Sequence, residues 1–172
     1  MHPTVELPEA GYLYTMAILG MTFIGYSAVV MLLRQTLGRK LRPFDALFAH
    51  VYMEFGLIVA LGAMLPQLLM FWELSIPAIW RASSALVGVP LLIFALTYPT
   101  RRKAASGEPT PAYVWINVSF VFLVSLAFLL AAAGALPERT AAVFVSALTL
   151  FMIFAVTTWL SALALVMAPK SR

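Results

Sequence analysis

Five apolar runs, each long enough to cross the hydrocarbon core of a bilayer, constrain this chain more than any other feature. A core of roughly 30 Å takes about 20 helical residues, and runs of that length fall near 10–33, 44–66, 77–98, 111–136 and 138–168. Of the 172 residues, 63% are hydrophobic and 10% charged. A soluble domain of this size leaves too much surface in water to hide that apolar content. The pattern predicts an all-α, polytopic membrane helix bundle with five transmembrane helices, organised as a single integral membrane domain over 1–172. Helices are favoured over a barrel because unpaired backbone groups are costly in lipid and no strand-like alternation is visible.

Local signals place the helix ends. Pro8 before Glu9, and Pro137 before Glu138, read as first-turn prolines with an acidic residue at the positive end of the helix dipole. Ser75 and Thr110 read as N-caps, with Pro77 and Pro111 just inside. Tyr98 precedes Pro99, which disfavours helix beyond it, and Pro169 closes the last run. Pro90 with Gly88 predicts a kink within the third span. Between spans 2 and 3, Met70, Phe71, Trp72 and Leu74 are too apolar for an ordinary loop, and predict a short interfacial helix.

Orientation follows from the basic residues. Nine of eleven, at Arg34, Arg39, Lys40, Arg42, Arg101, Arg102, Lys103, Lys170 and Arg172, fall on one side of the five-span layout. Arg81 and Arg139 fall on the other. The positive-inside rule then predicts N-out/C-in. Aromatic residues agree, with Tyr12, Tyr14, Trp72 and Trp80 at the outer interface and Tyr98, Tyr113, Trp115 and Trp159 at the inner one. The net charge of +4 is spent on orientation, and no basic stretch with interleaved aromatics forms a nucleic-acid surface. The expected setting is a multi-pass protein of a cell membrane, of the bacterial inner-membrane type. The first residues carry no lysine or arginine, so no cleavable signal peptide is expected.

Several chemistries are disfavoured. The chain has no cysteine, so disulfides, thiolate metal sites and thiol nucleophiles are out. Neither a Gly-x-Ser-x-Gly elbow, nor His-Glu-x-x-His, nor a phosphate-binding glycine loop occurs. His2 and His50 fall at opposite ends of the layout, so no metal site and no cofactor is expected.

One polar constellation stands out. Glu54 lies about ten residues into the second span, roughly 15 Å from its boundary, and an ionisable group at that depth needs a partner or a task. His50 is four residues earlier, on the same helix face, and imidazole beside carboxylate is an acid–base pair. Counting inward, Tyr26, Ser27, Tyr52, Asn117, Ser119, Thr157, Thr158 and Ser161 fall in the same layer. This belt reads either as a hydrated ion or proton pathway or as interhelical hydrogen bonding. Arg81 is the other anomaly: it snorkels to headgroups or forms a salt bridge to Glu54 or, more easily reached, Glu73. Asp45 reads as an N-terminal dipole partner. The leading expectation is a small ion- or proton-translocating protein or subunit using Glu54 and His50. The alternative is a non-catalytic accessory or assembly subunit of a larger membrane complex. Five helices enclose little space alone, so besides the lipid bilayer a homo-oligomer or larger complex is the expected partner.

Overall fold

The computed structural model of the protein describes residue 7 and residues 9–36, 43–135 and 137–167, apart from the side chains at 34, 35, 45, 137 and 164–167. Within them lie five α-helices: α1 (Ala10–Thr36), α2 (Pro43–Met70), α3 (Ile76–Ser106), α4 (Ala112–Ala132) and α5 (Thr140–Met167). A single 3-10 turn, Pro137–Arg139, leads into α5. No strand occurs among the described residues. All five helices are long and apolar enough to cross a membrane. Their outward side chains are apolar as well, with Ile18, Leu32, Leu96, Ile116 and Leu123 more than half exposed. A chain that is apolar outside as well as inside has lipid as its solvent, and the molecule is a small multispanning membrane protein. The basic residues 39–42, Pro8, the Asp45 side chain and the tail beyond 167 lie outside what is described.

Packing pairs α1 with α2 and α3 with α4, joins α2 to α3, and sets α5 against all four others. The inward face of α5 is Phe144, Leu148, Phe151 and Ala155, each 0% exposed. Their 4-3-4 spacing is one helical stripe. Lipid tails are as apolar as leucine, so helices in a membrane associate through close fit. The α1–α2 seam supplies it with small residues: a Cβ on Gly20 would come within 2.8 Å of the Gly56 carbonyl oxygen and 3.1 Å of the Ala60 Cβ. On the other side, Gly88 of α3 lies against Phe128 of α4. A ladder of edge-on rings, Phe23–Tyr52–Phe55–Phe94 with Phe151, crosses the middle of the bundle.

Three helix ends differ from the sequence reading. Pro99 does not end span 3; α3 runs through it to Ser106. A proline costs one backbone bond, to the carbonyl four residues back, and helices packed in a membrane tolerate that loss. The actual stop is Gly107, whose φ of 71° gives the left-handed cap and whose N–H bonds the Lys103 carbonyl at 2.9 Å. Pro66 likewise lies inside α2, which continues to Met70. The apolar residues 66–76 therefore make no separate interfacial helix. Phe71, Trp72 and Glu73 instead fold into a tight turn of three successive i→i−3 bonds, of 3.3, 3.2 and 3.1 Å, with Glu73 at φ 54°. The fourth span starts one residue later than Thr110 suggests, with Pro111 in the N-cap position, whereas Ser75 does stand at the N-cap of α3. Trp80 is 4% exposed and packs on Phe144, so it is a core residue rather than part of an aromatic belt.

Candidate functional site: an ion cluster beside a cavity

The extension of α3 beyond Pro99 creates the first half of the site. It keeps Arg101 and Arg102 on a helix, where Arg101 reaches the carboxylate of Glu54 on α2. Its two terminal nitrogens donate to the two carboxylate oxygens at 3.3 and 3.2 Å, the parallel fork that guanidinium makes with carboxylate. His50 Nε2 stands 3.1 Å from Glu54 Oε1, as the i, i+4 spacing predicts. The imidazole side chain is 65% exposed, and those of Glu54 and Arg101 are each 32% exposed, so the cluster lies on the flank of the bundle. Counted from Ile76, Arg101 is about 37 Å along α3, more than the roughly 30 Å of a hydrocarbon core. Arg101 therefore belongs to the last two turns of α3, while Glu54 lies inside α2. A helix end at Pro99 leaves Arg101 in a loop, which is why its sequence position does not point to Glu54. The signal that identifies it is Gly107, the better C-terminal cap.

Behind the cluster, α2, α3, α4 and α5 enclose a cavity of about 500 Å³. Its walls are mostly rings and branched aliphatics, among them Phe55, Phe94, Val118, Val121 and Phe154. Polar groups gather along it: Tyr98, Arg102, Asn117, Thr157, Thr158 and Ser161. Several lining residues are exposed, Tyr113 and Ile116 on α4 and Thr157 and Ser161 on α5, so the cavity opens sideways between those two helices. Among the described residues Arg102 is its one charged lining residue, and it is only 6% exposed. The guanidinium lies 5.4 Å from the centre of the Phe44 ring, a cation–π contact. It donates one long bond, 3.4 Å, to the Pro109 carbonyl.

The polar belt of the sequence reading divides between these places. Asn117, Thr157, Thr158 and Ser161 come together on the cavity wall, whereas Tyr52 is buried in the ring ladder and does not line it. Thr157, Thr158 and Ser161 donate to carbonyls of their own helix at 2.9, 2.8 and 2.8 Å. Ser27 is buried but donates to Phe23 O at 2.9 Å. Tyr26, 62% exposed, and Ser119 face outward, and neither joins the cluster or the cavity. Arg81 and Glu73 are not brought into an ion pair. The Arg81 guanidinium instead rests on Gly134, at the turn that ends α4, where a helix dipole favours a cation. Among the described residues no three His, Asp or Glu side chains gather as a metal site would require. No family model, no curated protein and no solved structure matches this chain.

Proposed function

We propose that the protein binds an amphiphilic molecule within the membrane, in the cavity between α2, α3, α4 and α5. The observation that carries this reading is the cavity itself: about 500 Å³, inside the range of about 300–1,000 Å³ typical of small-molecule sites. Apolar walls with a few convergent polar groups at one side match a molecule that is hydrocarbon along most of its length and polar at one end. The sideways opening supports arrival from the lipid phase rather than from water. Native mass spectrometry of protein released from a neutral detergent tests this. Wild type should carry a bound amphiphile, and Ser161→Trp, which fills the rim of the opening, should lose it. Unchanged occupancy in a folded Ser161→Trp protein would refute the assignment.

A second reading, proton or cation exchange at Glu54 and His50, is supported by the exposed imidazole standing against a carboxylate. Here Arg101 would compete with the incoming cation for Glu54. In liposomes, Glu54→Gln should abolish a wild-type proton or cation flux, and wild-type flux no greater than that of empty vesicles would retire the idea.

A further inference from the structure

Arg102 is the least explained charge in the molecule. Its neighbour Arg101 has a carboxylate, Glu54, engaged through both oxygens. Among the described residues Arg102 has none: beyond the 3.4 Å bond to Pro109 O and the face of Phe44, its N–H donors meet no acceptor there. A guanidinium offers five donors in a fixed fork, and burying it to 6% exposure without a counter-ion is costly. The side chain nevertheless lines the cavity. A cation is therefore held, desolvated and uncompensated, at the polar side of an apolar cavity that opens between α4 and α5.

We propose that the cavity holds an anionic phospholipid, with its phosphate on the Arg102 guanidinium and one acyl chain between α4 and α5. The proposal rests on the amphiphile reading above and names the chemical class of the ligand. Three observations select it. The planar fork of arginine matches phosphate oxygens bidentately. Arg102 lies in the last two turns of α3 and against Phe44 in the first turn of α2, so it sits at one end of the bundle, where headgroups meet a spanning protein. Among the described side chains no carboxylate lines the cavity, and Glu54, inside α2, is already held by Arg101, so none of them would receive the ammonium of a zwitterionic head. Lys103, exposed on the next position of α3, adds positive potential outside the cavity. Basic recesses between membrane helices are where anionic headgroups bind.

The test uses the full chain in a neutral detergent, titrated with phosphatidylglycerol and phosphatidylcholine of identical acyl chains and read by native mass spectrometry. Wild type should prefer phosphatidylglycerol by about tenfold, because both lipids offer Arg102 a phosphate and only phosphatidylcholine adds a cation that the guanidinium repels. Arg102→Gln should bind the two lipids alike, while Lys103→Gln, which removes an exposed charge outside the cavity, should keep the preference. Equal binding of both lipids by wild type overturns the headgroup assignment. A preference that survives in Arg102→Gln, or disappears in Lys103→Gln, overturns it too by showing a diffuse surface field. Ser161→Trp separates the cavity from the headgroup: if it abolishes all lipid binding while wild type shows no preference, the cavity stands and the anionic headgroup assignment falls. If it leaves binding unchanged, the cavity reading itself falls. Should Arg102→Gln not fold, the wild-type ratio together with Arg102→Lys, which retains the charge and should retain a preference, decides the matter.

Discussion

At the scale of single residues, Glu54 has two partners with different roles. Arg101 arrives from another helix and holds the carboxylate by a fork, whereas His50 is a neighbour on the same helix and mostly exposed. Removing Arg101 leaves an anion half-buried without a counter-charge, and removing both members of the pair leaves none. Arg101→Gln should therefore destabilise the bundle more than Arg101→Gln/Glu54→Gln. The coupling should be about 1–3 kcal/mol, between exposed and buried ion pairs. A double-mutant cycle by steric trapping in bicelles measures it, and a coupling near zero would show that the fork holds nothing together. The His50–Glu54 half of this cluster was legible, because four-residue spacing on a helix is a local geometric fact. The Arg101 half was not. Pro99 and Gly107 are competing local arguments for a helix end, and the contact of Arg101 with Glu54 on α2 belongs to the longer helix that stops at Gly107.

Among the elements, the α1–α2 seam depends on backbone approach, so its glycines are not equivalent. A Cβ on Gly20 would meet the Gly56 carbonyl oxygen at 2.8 Å and the Ala60 nitrogen at 2.9 Å, both backbone atoms that move only with their helix. A Cβ on Gly25, five residues along the same helix, would meet nothing within 4 Å. Gly20→Ala should cost about 1–3 kcal/mol, the usual range for overpacking. Gly25→Ala should be neutral or slightly stabilising, since alanine is the better helix former. Unfolding of both variants in mixed micelles checks the contrast. An equal response would mean that α1 is not seated on α2 as described. Sequence alone presents Gly20 and Gly25 alike, as small residues in one apolar run. The difference between them is which side of α1 faces α2, a property of the pair of helices.

For the whole molecule, the orientation expected from the basic residues yields the broadest test. A reporter fused after Arg172 should behave as cytoplasmic and one before Met1 as external; a cytoplasmic N-terminal reporter would reverse the layout. On that orientation the Arg102 side of the cavity faces the cytoplasmic leaflet, so a reversal would also move the predicted lipid site to the other leaflet. By itself the sequence determined that there are five long apolar helices, roughly where they start and stop, and that His50 and Glu54 share a face. Each of these depends on length, composition or spacing within one segment, and in a bilayer such local terms dominate because every spanning segment must satisfy its own backbone. Only the tertiary structure decided that α5 sits against all the others, that Arg101 rather than Arg81 or Glu73 enters the ion network, and that four helices leave a cavity beside a buried Arg102. The physical reason is that helices apolar on every side carry little periodicity to mark an inward face, and in lipid their association is decided by shape and close contact.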